Sequence, residues 1–398
     1  MQAVLFAAGK STRTYPLTLT RPKPLLPIAN KTVLEHQLNA MPEGVREVIL
    51  VVGYKQEMIV DQYGDRFGSI DLTYVTQEEQ KGTGHALLQC AGKISGPFLA
   101  MNGDDIYGQG DLERLATVER GVLAQTVEDP SRFGVFVTDD DHKVLDVVEK
   151  PTKPISNLAN MGAYKFQQDI FETLEATEES ERGEIEITSA ILTQAKQHVV
   201  TALTAENEWL SIGYPWDVIT ASKWIMDNRL ESENEGQIEP GAHIHGNVNI
   251  GKGTLIRSGV VIDGPVIIGE DCNIGPNAWI RPYSVIGHGC KVGQGSEIKG
   301  SVLFGSTKVP HLSYIGDSVL GENVNIGCGT ITANFRHDGG NHRSMVKGEL
   351  VDTGLRKFGA IVADDVHTGI NTSIYPGRKL WPHVSTLPGE AVTKDKTE

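Results

Sequence analysis

Two hydrophobic rhythms divide the chain. From Met1 to about Leu230, short apolar runs ("AVLFAA", "EVILVVGY", "LTYVTQ", "PFLAMNGD", "VLAQTV", "VFVTDD", "HVVTAL") alternate with amphipathic stretches such as "KTVLEHQLNAM" and "TGHALLQCAG". Strand-length runs separated by helix-length segments predict a mainly parallel sheet with helices on both faces, an α/β domain over residues 1–230. In such a sheet, ligands bind where the strands end. Pro215 opens an expected closing helix in "PWDVITASKWIMDNR", and the polar "LESENEGQ" reads as a linker with a boundary near Gln237.

Beyond the linker the period becomes six. Ile238, Ile244, Ile250, Ile256, Ile262, Ile268, Ile274, Ile280, Ile286, Val292, Ile298 and Phe304 recur at every sixth position. Four residues after most of them stands a small side chain: Ala242, Val248, Thr254, Val260, Cys272, Ala278, Ser284, Cys290, Ser296, Val302. An aliphatic and a small inward residue per hexad, with three hexads to a triangular coil, predict a left-handed parallel β-helix over residues 237–398.

Composition narrows the function. Against 36 basic side chains stand 51 acidic ones, a formal net charge of -15 over 398 residues, which argues against a nucleic-acid or anionic-membrane surface. "AVLFAA" is too short for a membrane span or a secretory core, so a cytoplasmic protein is expected. The four cysteines lie far apart without a CxxC pair, so neither a zinc cage nor a disulfide framework is expected. Cys272 and Cys290, one coil apart at small inward positions, read as core packing.

Candidate chemistry begins at the first strand's end. In "FAAGKSTRTYPLTLTRPKPLLP", a small-residue turn (Ala7, Ala8, Gly9) is followed by Arg13 and by Lys23 between two prolines that stiffen the chain around it. Neither GxGxxG nor the P-loop spacing is present. Two fixed cations beside a small-residue turn suit phosphoryl or nucleotidyl transfer, where catalysis is positioning plus charge neutralisation; on the residues alone a solvated basic loop fits equally.

In the second half, the residue after the aliphatic one is often glycine, and the exceptions His245, Asp263, Arg281 and Lys299 form an outward column on successive coils, strands about 4.8 Å apart. Arg281 beside Lys299 would be repulsive unless an anion sits between them or solvent screens them; a phosphate is the natural anion. The register then breaks, with Pro310 and His311 inserted and a glycine-rich, histidine-bearing loop from Arg336 to Arg343 expected to project from the coil.

The motifs "FAAGKSTR…RPKPL", "QEEQKGTGHA", "NGDD", "FGVF", "VVEKP" and "NMGAY" resemble, in order, those of sugar-1-phosphate nucleotidylyltransferases with a Rossmann-like fold. "QEEQKGTGHA" and "NMG" are most similar to the uridylyltransferase branch of UDP-N-acetylglucosamine synthesis, while "TYPLTLTRPKP" resembles glucose-1-phosphate and mannose-1-phosphate enzymes. The resemblance implies that Ala7, Ala8, Gly9, Gln77, Gly82 and Thr83 hold the nucleotide, that Arg13 and Lys23 neutralise the triphosphate, and that Gly134, Glu149 and Asn160 contact the sugar. It makes Asp104 the Mg²⁺ ligand. At the family's second metal-ligand position, usually Asp or Asn, stands Ser211, leaving Asp217 or water and phosphate oxygens to complete the shell.

"HLSYIGD…NIGCGTITANF" resembles the acetyltransferase half of bifunctional uridylyltransferase/glucosamine-1-phosphate acetyltransferases. That likeness makes His311 the general base, gives the phosphate to Arg281 and Lys299, and gives amino-sugar contacts to Tyr314, Asn325 and Asn334. Histidine suits a base that takes a proton from an attacking amine near neutral pH. The substrates expected are UTP, N-acetylglucosamine-1-phosphate, glucosamine-1-phosphate and acetyl-CoA. The acetyl-CoA contacts stay unassigned, with His342 or Arg343 as substitutes for a family lysine. A homotrimer is expected, since in that family the acetyl site lies between subunits. The competing readings are nucleotidyl transfer alone, with the β-helix as an oligomerising or regulatory module, and a catalytically silent subunit that binds nucleotide sugar.

Overall fold

The computed structural model describes residues 1–398 except Arg132, Lys150, 152–154 and Glu208. By contacts the chain forms two compact units. The first comprises Met1–Lys10, Pro22–Leu25 and Val33–Ser211, and the second Ser11–Arg21, Leu26–Thr32 and Ile212–Glu398.

The first unit is built on the strands the apolar runs announce. Phe98–Asn102, Gln2–Phe6, Glu47–Val52 and Ile70–Thr76 lie side by side and parallel; the first three are almost wholly buried, as continuous apolar runs in a two-sided sheet must be, while Ile70–Thr76 buries Ile70, Leu72 and Val75 and exposes Asp71 and Thr76. Leu158–Phe166 continues the sheet antiparallel beside Phe98–Asn102 and pairs further with Gly121–Thr126 and Gly134–Thr138. Register aligns Phe6 with Asn102 and Val51, so the turns carrying Ala7–Gly9 and Gly103–Asp104 emerge together at the carboxyl ends of the strands. Short backbone bonds tie these turns to the sheet: Gly103 N–H to Phe6 O (3.0 Å), Ala7 N–H to Val51 O (2.7 Å) and Gln77 N–H to Val52 O (2.8 Å).

In the second unit the hexads form the expected parallel β-helix, with two faces of eight strands and one of five. The isoleucines from Ile250 to Ile298, with Val292, are buried along the axis, whereas Ile238 and Ile244 in the first coil are only partly covered because nothing stacks before them. The inward hydroxyls and thiols bond to carbonyls of the neighbouring coil, Thr254 Oγ1 to Gly269 O at 2.6 Å and Cys272 Sγ to Gly287 O at 3.0 Å, so small polar side chains are tolerated inside. Burial raises the Cys272 and Cys290 thiols, in keeping with packing rather than redox chemistry.

The period changes earlier than the sequence suggests. Ile286 pairs with Leu303 and Ile298 with Ile315, so one residue is lost between Ile298 and Leu303. Leu303 fills the axis, and Phe304, the expected inward residue, turns to the coil corner, where the Arg21 guanidinium lies 5.4 Å from its ring. Because Leu303 and Phe304 are both apolar, periodicity could not separate them. Residues after Asn334 leave the coil as an antiparallel hairpin, Arg343–Val346 with Glu349–Asp352, and the chain rejoins the β-helix at Ile361–Val362. Among the described residues no helix is long and apolar enough to cross a membrane.

Candidate active sites

In the first unit, two predicted residues meet directly. Lys23, held in a short helical turn between Pro22 and Pro24 and buried, donates from Nζ to Asp104 Oδ2 at 2.8 Å. Asp104 itself is partly exposed at the strand end. Ala7 and Ala8 are buried, Gly9 is exposed, and Gln77 Nε2 donates to Gly82 O at 3.1 Å, which ties the strand-end glutamine to the turn opening the helix Thr83–Leu88. Gly82 adopts a positive φ of 94°, and a Cβ there would lie 2.7 Å from Ile185 O, so only glycine suits that turn.

Gly134 pairs with Glu149 across the strands, where a Cβ would lie 2.8 Å from the Glu149 carboxylate; glycine leaves that carboxylate its space. Arg182 stands 3.7 Å from Glu149. Asn160 is oriented within its own strand, accepting from Gly162 N–H (2.9 Å) and donating to the Tyr164 hydroxyl (2.9 Å). Arg13 belongs to the second unit, exposed, with its guanidinium 5.8 Å from the Tyr214 ring.

Asp105, the second carboxylate of "NGDD", carries no signal in the sequence that sets it apart from Asp104. Buried next to Asp104, it has its carboxyl pushed up by burial first and by the Asp104 charge second, with Lys23 acting in the opposite direction. Its strand partner is Ser211, which brings a hydroxyl alongside it. Asp217, in the second unit, accepts at Oδ2 from the Gly213 and Tyr214 N–H groups at 2.8 and 2.7 Å, fastening the turn before its own helix. Gln37 also escaped notice; its Nε2 donates to both Asn102 O and Asp105 O (2.6 Å each) and fixes the "NGDD" turn from below. Crowded carboxylates are hard oxygen donors that suit Mg²⁺, and among the described residues no group of three or more His, Cys, Asp or Glu gathers there or elsewhere.

The β-helix carries a second polar cluster. Lys299 Nζ reaches Asp317 at 2.7 and 2.9 Å; Asn334 Nδ2 donates to the same carboxylate (2.5 Å) and to the Tyr314 hydroxyl (3.0 Å). Burial raises the Tyr314 hydroxyl, which stays protonated. Arg281 pairs with Glu297 at 2.7 Å and stacks over Trp279 at 4.6 Å. Carboxylates, neither an anion nor solvent alone, relieve the repulsion expected between Arg281 and Lys299: each cation has its own partner, Glu297 or Asp317.

His311 ends the strand Lys308–His311 on the adjoining face, exposed, and its imidazole makes no hydrogen bond among the described residues. Asn325 lies one coil beyond Lys308 on that face. His342 is not an exposed substitute for a coenzyme-binding lysine: it is 2% exposed, its Nε2 lies 3.1 Å from Asn334 O, and burial lowers its pKa. It supports Asn334.

An α/β sheet with a cationic, carboxylate-bearing turn at its strand ends, joined to a hexapeptide β-helix, defines a nucleotidyltransferase unit on a repeat scaffold. The chain belongs to the nucleotidyl transferase family, whose model matches residues 2–228, and residues 262–385 match the GMPPB C-terminal domain. It is 42% identical to the bifunctional protein GlmU of Methanococcus maripaludis over 96% of this chain and 92% of that protein. A bifunctional sugar-1-phosphate nucleotidylyltransferase/acetyltransferase of Sulfurisphaera tokodaii is 38% identical over 99% of this chain and 98% of its own. Among solved structures, a UDP-glucose pyrophosphorylase complexed with UDP-glucose superposes with a TM-score of 0.52 at 28% identity, covering 57% of this chain and 99% of that one.

Proposed function

We propose that this chain makes UDP-N-acetylglucosamine in two steps. In the second unit, the amine of glucosamine-1-phosphate attacks the thioester of acetyl-CoA, forming an amide and releasing coenzyme A. His311, exposed and uncommitted, accepts the amine proton. Arg281 and Lys299 receive the sugar phosphate in place of Glu297 and Asp317, and Tyr314 and Asn334 orient the amino sugar, with Asn325 beside them in the sequence motif. In the first unit, an oxygen of N-acetylglucosamine-1-phosphate displaces pyrophosphate from the α-phosphorus of UTP. Lys23, and Arg13 from the Ser11–Arg21 segment, offset the charge that builds on the phosphates. Ala7, Ala8, Gly9, Gln77, Gly82 and Thr83 hold the nucleotide, and Gly134, Glu149 and Asn160 the sugar. Asp104 would hold Mg²⁺, with Asp105 and Ser211 next to it; the ion, when bound, supplies Lewis-acid neutralisation of phosphate charge.

The observation that carries this reading is the pair of separate cation–carboxylate clusters, Lys23 with Asp104 on the first unit and Lys299 with Asp317 on the second. Its test is two assays on one preparation: pyrophosphate release from UTP with N-acetylglucosamine-1-phosphate, and coenzyme A release from acetyl-CoA with glucosamine-1-phosphate. Loss of both from active-looking protein refutes it. The GMPPB C-terminal match favours a second reading, nucleotidyl transfer alone with the β-helix as a regulatory module, in which only pyrophosphate appears. We further propose a cytoplasmic homotrimer, for which mass in solution is the measurement and a stable monomer the contrary result.

A further inference from the structure

The segment between the two cationic residues of the nucleotidyl motif is fastened to the β-helix. Within the second unit, Asp364, at the corner after the strand Ile361–Val362, is 5% exposed and fully engaged. Its Oδ1 accepts from Glu322 N–H (2.7 Å), and its Oδ2 accepts from Arg21 Nη2 (2.6 Å) and from the Thr20 hydroxyl (2.6 Å). Arg21 adds a bond to Glu322 at 2.9 Å and lies against Phe304, the side chain displaced to the coil corner by the register change. At the other end of the segment, buried Lys379 donates to Tyr15 O (3.1 Å) and to Met345 O in the hairpin (2.6 Å). A little beyond, Asn30 Nδ2 reaches Ile286 O at 2.8 Å.

A buried carboxylate is costly unless its lone pairs are filled, and Asp364 fills its own with donors from the nucleotidyl segment and from one coil corner. Cutting one partner leaves the others with an unpaired buried charge, so these bonds form and break together. Arg13 lies two residues before the first anchor, and Lys23 two after the last of the Thr20–Arg21 pair. The β-helix therefore restricts the backbone that follows Arg13 and precedes Lys23.

We propose that Asp364 is a positioning residue for nucleotidyl transfer: through Arg21 and Thr20 it holds the segment that carries Arg13 and leads into Lys23. The proposal rests on the nucleotidyl reaction assigned above. Asp364 touches no substrate; it acts by keeping the segment ordered before the transition state, where misplacement of a charge by an ångström is expensive.

The test is D364N, which keeps the shape and removes the charge, with D364E, which keeps the charge. D364N is expected to lower kcat for nucleotidyl transfer by about tenfold or more with KM for UTP changed less than about threefold, to leave acetyl transfer within about twofold, and to speed amide hydrogen exchange across residues 12–21. D364E recovers most of the loss. Folded D364N with wild-type nucleotidyl kcat overturns the proposal. So does an equal fall in both activities with a lowered melting temperature, which marks a structural role only. Should D364N fail to fold, T20V removes one bond without stranding a charge and is read by the same criteria. If the wild-type protein shows no nucleotidyl transfer, the assigned reaction fails; hydrogen exchange still decides the anchor, since unchanged protection across residues 12–21 in D364N overturns it.

Discussion

Replacing Gly316 by alanine places one methyl group in the middle of the β-helix cluster. A Cβ there would stand 2.5 Å from the Tyr314 hydroxyl, 2.6 Å from Asn334 Nδ2 and 2.7 Å from Tyr314 Cε1. Ordinary van der Waals contact begins at 3.4 Å, so Tyr314 and Asn334 must each retreat by almost an ångström. Neither can do so without cost: Asn334 is tied to Asp317 and propped by His342, and Tyr314 is half-buried against them. The backbone at Gly316 needs no positive φ, so the substitution acts through these side chains rather than through strain. A shift of this size in groups that orient a reacting amine is worth on the order of 10²-fold in rate. Acetyl transfer from acetyl-CoA to glucosamine-1-phosphate, followed by thiol release, is expected to fall by about that factor in kcat/KM. Pyrophosphate release from UTP in the same preparation serves as the control and is expected to be unchanged. Undiminished acetyl transfer in a folded G316A protein refutes the assignment of Tyr314 and Asn334 to the amino-sugar site.

Lys23→Met breaks the bond to Asp104 and removes a phosphate partner; nucleotidyl transfer is expected to drop by about 10²-fold or more while acetyl transfer persists, and equal retention of both activities contradicts the role of Lys23. His311→Ala is expected to abolish acetyl transfer and spare nucleotidyl transfer, measured by the same two assays. Burial lowers Lys379 to about 8, so at higher pH the folded chain gives up a proton that the unfolded chain still holds. Stability should therefore rise between that value and the ordinary lysine range by about 3 kcal/mol more in wild type than in K379M, read from denaturant midpoints at a series of pH values. Burial also raises Cys90, Cys272 and Cys290, so a thiol reagent on native protein should modify Cys328 first, with the other three reacting only on unfolding; rapid labelling of Cys272 contradicts its inward position.

Much of this architecture is legible in the chain because the governing interactions are periodic or local. The isoleucines at every sixth residue specify a coil, since each must be buried and nothing else makes that spacing favourable. Lys23 and Asp104 are legible as a motif pair, the one stiffened by prolines, the other ending an apolar strand. The register change at Leu303 was hidden because Phe304 satisfies the same apolar pattern. The outward cations Arg281 and Lys299 can be aligned by counting, but the pairing with their carboxylates cannot, since Glu297 lies one coil on and two residues back from Arg281, and Asp317, 18 residues after Lys299, stands one residue past its register partner Gly316 in the shortened coil. Asp105 was overlooked because in sequence it duplicates its neighbour; only burial gives the two carboxylates different properties. The Arg21–Asp364 bond joins residues 343 apart in a chain whose local pattern marks neither of them.

Two phosphate-recognising sites, one on each unit and linked by a common intermediate, form the central claim. Its most direct test supplies glucosamine-1-phosphate, UTP, Mg²⁺ and acetyl-CoA labelled in the acetyl group to the purified chain, and follows the label by mass spectrometry. The account predicts labelled UDP-N-acetylglucosamine, with coenzyme A and pyrophosphate released. Label confined to acetyl-CoA, while N-acetylglucosamine-1-phosphate given directly is still uridylylated, would contradict it.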